Sequence, residues 1–255
     1  MKTAFLLACL FSATIFVFSG TAHAQTPSLP FTKELPRRAV IPKLSGTLKL
    51  DGRLDETVWS KAAVLKPFMA NRGEGSDSEG TEVRLWYDDT ALHLGWVCTD
   101  RDIQATFTNR DSMFWEEEVA EFFITPDKLE TYFELQWNPL GGVFDAIIHN
   151  ELGADGLSKK FTGDWSFTAK GMKSAVRVEG TVGNSSDVDK DWTVEVTVPF
   201  ADLGVSAPKA GAVWRGNFYR FSRGINKPEM GLAWSPTRLG SFHQPSRFGY
   251  LEFGK

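Results

Sequence analysis

From Leu50 onward the chain runs in short alternating segments closed by Gly, Asp, Asn or Pro. A period of two admits few arrangements other than an antiparallel sheet with one face buried. Val83, Leu85 and Tyr87 alternate with Glu82, Arg84 and Trp86; Asp88-Asp89 then turns the chain into Leu92-His93-Leu94-Gly95-Trp96-Val97, which predicts a hairpin. Further strands are predicted over residues 119–125, 131–137, 143–149, 175–182, 193–198, 214–222 and 247–253. Trp192, Val194, Val196 and Val198 fall on one face of their strand, with Thr193, Glu195 and Thr197 on the other. Helical pattern is scarce. One short helix is expected to start at Asp55, whose carboxylate would cap the amides of Thr57 and Val58, and to run through Trp59 towards Ala63. The fold class that follows is all-β: an antiparallel β-sandwich, jelly-roll or immunoglobulin-like, with one short N-terminal helix.

Ahead of this pattern, Lys2, the apolar stretch 4–18 and the small-residue segment Ser19-Gly20-Thr21-Ala22-His23-Ala24 predict an export signal over residues 1–24. The expected location is periplasmic or secreted, with no membrane contact after cleavage. Residues 25–43 carry Pro27, Pro30, Pro36 and Pro42 without an apolar period and read as an extended lead-in, leaving 44–255 as the domain. Cys9 belongs to the signal, so Cys98 stands alone, which excludes an intrachain disulfide, a thiolate zinc cluster and a CxxC pair. The 28 Lys and Arg against 32 Asp and Glu give a net charge of −4 spread along the chain, so no nucleic-acid partner is expected.

Aromatic residues are the outlier, with 20 Phe, 9 Trp and 4 Tyr. Trp59, Trp86, Trp96, Trp137 and Trp192 sit on predicted strands or on the helix and read as core, where each buried ring contributes roughly 1.5–3 kcal/mol. Two others lie in polar loops. Trp115 sits between Asn109-Arg110-Asp111-Ser112-Met113-Phe114 and Glu116-Glu117-Glu118, and Phe242 lies in Leu239-Gly240-Ser241-Phe242-His243-Gln244-Pro245. Sugars need this combination, because a pyranose offers an apolar face that stacks on rings and a rim of hydroxyls that carboxylates and amides bind.

The block Leu50-Asp51-Gly52-Arg53-Leu54-Asp55-Glu56-x-Val58-Trp59, then Val83-Arg84-Leu85-Trp86-Tyr87-Asp88-Asp89-x-Ala91-Leu92, then Trp115 with Glu121-Phe122-Phe123-Ile124, resembles the first half of a family 9 carbohydrate-binding module. Trp192-Thr193-Val194-Glu195-Val196-x-Val198-Pro199-Phe200, Trp214-Arg215-x-Asn217-Phe218, Ala233-Trp234-Ser235-Pro236 and Phe242-x-x-Pro245-x-x-Phe248-Gly249 resemble the second half, in the right order. That family is a β-sandwich related to DOMON domains, and its sugar-binding members hold a terminal sugar between two rings. The resemblance implies Trp115 and Phe242 as the plates, Glu121 as the acid beside the first, and Gln136, Asn138 and Tyr219 as polar binders. Gln136 stands where sugar-binding members carry Arg, and Phe242 where they carry Trp. His243, beside the second plate, is a further candidate donor to a hydroxyl. No cofactor is required on this reading, although members hold structural calcium. Asp187, Asp189 and Asp191 are spaced like the start of a calcium loop, but Trp192 and Val198 replace the Gly and Glu such a loop needs, so a solvated turn is expected there.

The expected function is an exported protein that binds the end of a glycan or oligosaccharide without transforming it, in support of a separate glycoside hydrolase. Two alternatives stand beside it. Glu116, Glu117, Glu118 and Glu121 supply carboxylates for glycoside hydrolysis, although sequence neighbours are poorly placed to flank one bond. A DOMON-type haem carrier would draw axial ligands from Met113, Met172, Met230, His149 and His243, which no spacing pairs.

Overall fold

Fourteen strands form from the alternating text, as the computed structural model shows for residues 35–255 except 74, 226 and 228. The export signal expected over 1–24 lies outside the described residues, as does the lead-in to residue 34. The strands are β1 (Arg38–Ile41), β2 (Ala63–Leu65), β3 (Met69–Ala70), β4 (Thr81–Tyr87), β5 (Ala91–Thr99), β6 (Val119–Thr125) and β7 (Thr131–Trp137). They continue as β8 (Val143–Leu152), β9 (Ser158–Asp164), β10 (Lys173–Glu179), β11 (Asp191–Pro199), β12 (Val213–Ser222), β13 (Met230–Ala233) and β14 (Gly249–Phe253).

Two sheets result. The larger runs β1-β14-β12-β6-β7-β8-β9, with β13 and β3 attached through β12, and the smaller runs β10-β11-β5-β4-β2. Leu92, Leu94, Trp96 and Cys98 of β5 and Trp192, Val194, Val196 and Val198 of β11 point inward from the smaller sheet. Phe122, Leu135, Trp137 and Phe218 meet them from the larger, and Phe122 stacks on Phe218 at 4.6 Å. All five tryptophans expected in the core are at most 1% exposed.

Several expectations are corrected. The N-terminal helix is a five-residue 3-10 turn, Thr57–Lys61, and Asp55 does not cap it, because the cap position is Glu56 and no side chain bonds the free amides. What holds the turn is tertiary. Trp59 packs edge-on over Trp86 on the outer face of the smaller sheet, and its indole donates to buried Glu195 at 3.1 Å. The strand expected over 175–182 ends at Glu179, and Arg247 belongs to a 3-10 turn ahead of β14. Edge strands β1 and β9 escaped the alternation test because they are short or polar and largely exposed. Strand β1 lies in the stretch read as lead-in and pairs parallel with β14, the one parallel ladder among the named strands, with an isolated parallel bridge from Lys43 to Tyr87 following it.

Candidate functional site

Period two gives the larger sheet two working faces. Ala120, Phe122 and Ile124 of β6, with Leu135 and Trp137 of β7, enter the core, so Glu121, Phe123, Tyr132, Glu134 and Gln136 project from the opposite face. Phe144 and Ile148 of β8 join them, as do Tyr219 and Phe221 of β12. Loops carrying Trp115, Trp165 and 240–243 rise around this face and enclose a cavity of about 440 Å³, within the range of small-ligand sites.

Of the residues expected at a site, the cavity wall brings together Trp115, Glu121, Phe242 and His243. Trp115 stands edge-on to Phe144 at 5.4 Å and to Trp165 at 5.7 Å. Phe242 stacks on Tyr219 at 4.2 Å and on Phe221 at 4.7 Å, which leaves only 7% of it exposed. His243 receives or donates one hydrogen bond through Nδ1, with the Tyr132 hydroxyl at 2.7 Å, and stacks on Phe161 at 3.7 Å. Burial lowers its pKa to about 4, so the ring is neutral at pH 7.

The other three lie outside the wall, with the polar groups of Tyr219 and Asn138 and the amide nitrogen of Gln136 committed elsewhere. Tyr219 is fully buried and donates to the Phe242 carbonyl at 3.0 Å, so it positions that ring. Asn138 donates to the Phe107 carbonyl at 2.7 Å and accepts from the Gly142 amide at 2.8 Å, which closes the turn between β7 and β8. Gln136 is buried behind the floor and donates to Glu134 at 2.5 Å, while its own Oε1 has no partner among the described residues.

Glu134, missed in the sequence, lines the cavity beside Glu121. Burial is the main reason that both acids are raised: Glu134 to about 8, offset in part by the Gln136 amide, and Glu121 well above the carboxylate range with the Glu134 charge adding to it. Trp165, 50% exposed, and Phe161, 42% exposed, were missed as well and offer more open ring than Phe242 does. The criterion that singled out Trp115, a large ring among polar loop residues, applies equally to Trp165 in Gly163-Asp164-Trp165-Ser166.

The run 116–121 is dispersed by the fold. Glu116 is exposed, Glu117 accepts from the amides of Thr106 and Phe107, and Glu118 is buried against Arg220, so Glu121 alone of the run reaches the cavity. Glu121 and Glu134 sit side by side on neighbouring strands of one floor, not across the cavity from each other, where flanking a glycosidic bond would require them. The haem ligands are scattered too. Met172 and Met230 pack on the core, Met113 and His149 are exposed, and no Met or Lys lines the cavity beside His243. The turn is solvated as expected at Asp187, Val188 and Lys190, but Asp189 within it is 6% exposed, and its two oxygens accept the amides of Thr181 and Ile103 at 2.7 Å each. Those donors occupy the positions a calcium ion would need, so the residues do not fit the metal there. Among the described residues no group of three His, Cys, Asp or Glu is arranged to hold a metal.

Fold and cavity define a two-sheet β-sandwich with a ring-lined site on the outer face of its larger sheet. The chain belongs to carbohydrate-binding family 9, whose sequence profile matches residues 71–253. Among curated proteins none matches it in sequence. Solved structures share the fold: a Bacteroides uniformis protein proposed to bind carbohydrate is 17% identical, with a TM-score of 0.62 over 86% of this chain and 99% of that one. A family 9 module from Caldicellulosiruptor kristjanssonii, solved with cellotriose, is 14% identical, with a TM-score of 0.56 over 86% and 94%. A structure of a family 9 module from that organism with glucose is 14% identical, with a TM-score of 0.55 over 85% and 97%.

Proposed function

We propose that the protein is exported to the periplasm or beyond, and that it binds the end of a glycan without transforming it. The observation that carries this reading is the cavity itself: open indole and phenyl rings above a floor of two carboxylates, in a chain of a carbohydrate-binding family. A sugar would stack on Trp115 and Trp165, with Phe242 closing the far side, and its hydroxyls would meet Glu121, Glu134, Ser241 and His243. Affinity is modest, roughly micromolar or weaker, because desolvating hydroxyls offsets much of each hydrogen bond. Binding needs no cofactor. The side-by-side acids support an accessory role, in which a separate glycoside hydrolase acts on the glycan that this protein holds.

A glycan array followed by calorimetric titration tests the reading. Trp115→Ala and Trp165→Ala each lower affinity about tenfold or more, since aromatic anchors dominate such sites. Trp165 is half exposed, so its variant keeps the native melting temperature. Chelator in the titration leaves affinity unchanged. An array on which nothing binds, or variants that bind as tightly as the native chain, overturns the assignment.

A further inference from the structure

Elsewhere in the molecule four buried acids, Asp100, Glu118, Asp189 and Glu195, each have a partner. Asp100 and Glu118 face the cations of Arg220 and Lys227, Asp189 accepts two backbone amides, and Glu195 accepts the Trp59 indole. The cavity breaks this pattern. Glu121 is 2% exposed and makes no hydrogen bond or ion pair among the described residues, although it lines the cavity. Glu134, 5% exposed, has only the neutral Gln136 amide. Arg223, the cation whose charge Glu121 feels, pairs with Glu229 at 2.8 Å and lies over the Phe221 ring, and no Lys or Arg lines the cavity. Two buried acids without a cation, beneath aromatic faces, leave a place for positive charge.

We propose that the glycan end taken by this cavity carries a free protonated amino group, so that the ligand is an amino sugar whose ammonium sits between Glu121 and Glu134. The proposal rests on the carbohydrate reading above and narrows its substrate class. Burial raises both acids in the empty cavity, and a neutral sugar does nothing to favour their ionised form. An ammonium presents three donors and a charge, which matches two acceptor groups and is further stabilised by ring faces nearby. An N-acetylated sugar has lost that charge, and a uronic acid adds a like charge beside the pair.

Calorimetric titration of the protein with three trimers of equal length, β-1,4-linked glucosamine, cellotriose and β-1,4-linked N-acetylglucosamine, tests this, with tetramethylammonium chloride as the sugar-free cation. The glucosamine trimer binds at least about tenfold more tightly than the other two. In the Glu121→Gln/Glu134→Gln variant the preference falls to about twofold or less, because the amides keep hydrogen bonding without charge. A melting curve shows that variant folded, since the change removes two unpaired buried acids. Equal affinity for glucosamine and cellotriose trimers overturns the amine assignment and leaves the carbohydrate reading intact. A preference that survives in the double variant also overturns it. Binding of tetramethylammonium with no sugar bound overturns both.

Discussion

Arg220 offers the sharpest test of what holds the two sheets in register. It is fully buried on β12, where Nε donates to Glu118 at 2.9 Å and Nη2 to Asp100 at 2.7 Å. Nη1 donates to the Thr99 carbonyl at 3.0 Å and to Thr81 at 3.2 Å, so one guanidinium links the larger sheet to two strands of the smaller. Arg220→Met keeps much of the length and deletes all four bonds. Asp100 and Glu118 then stay buried with Lys227 as the cation that remains beside them. Breaking a buried pair from one side costs about 3–5 kcal/mol, since the orphaned charge loses compensation without regaining water. At this chain length that corresponds to a melting temperature lower by about 6–20 °C. Urea unfolding followed by tryptophan fluorescence gives the free energy. Adding Glu118→Gln removes one orphaned carboxylate, so the double variant recovers at least about 1 kcal/mol of the loss. A single variant within about 1 kcal/mol of native, or a double variant that loses the sum of its parts, refutes the account.

Gly249→Ala places a methyl group 2.2 Å from the Trp234 ring and 3.0 Å from the Arg37 carbonyl; thermal unfolding should show a loss of about 1–3 kcal/mol, and no loss would mean that the ring moves aside. Cys98 is fully buried, and burial pushes its thiol up, so a thiol reagent added to native protein should label nothing until denaturant is present. Glu134 titrates at about 8 when folded and near 4.3 when unfolded, so between these values the folded state holds a proton that the unfolded state has released. Stability therefore falls as pH rises from about 4.3 to about 8, by at most about 1.4 kcal/mol per unit, and Glu134→Gln flattens that slope; identical slopes in the two proteins would contradict the burial of an uncompensated acid.

The parts of the fold that were legible in the sequence are those where burial follows a simple period. Strands β6 and β7 match their predicted bounds because Phe122 and Ile124, and Leu135 and Trp137, recur at a period of two on the core face, and Pro126-Asp127 and Asn138-Pro139 stop the two runs. Strand β9, Ser158–Asp164, has no such alternation; pairing with β8 alone makes it a strand, and pairing is not written in its own residues. The 3-10 turn at Trp59 likewise depends on Trp86 and Glu195, which lie 27 and 136 positions away. Site residues divide along the same line. Trp115 and Phe242 stood out because large rings in polar loops lack a local reason to be there. Glu134 was hidden by its strand: a charged residue between Phe133 and Leu135 reads as the solvent face of a sheet, and only the loops folding over that face turn it into a floor.

The two faces of the larger sheet thus treat charge in opposite ways, and the contrast separates structure from function. On the inner side, Arg220 and Lys227 answer Asp100 and Glu118, an arrangement that fixes register and is satisfied within the chain. On the outer side, Glu121 and Glu134 are raised by burial and left with one amide between them, which lowers stability as pH rises above about 4.3 and contributes no link between elements. Filling the floor with hydrophobic residues would make a firmer sheet. A fold that keeps a destabilising pair at the base of a ring-lined cavity is explained when the missing partner arrives from outside, because local rules of packing and satisfaction are broken at sites of function. The ligand, on this argument, completes the buried network that the chain leaves open.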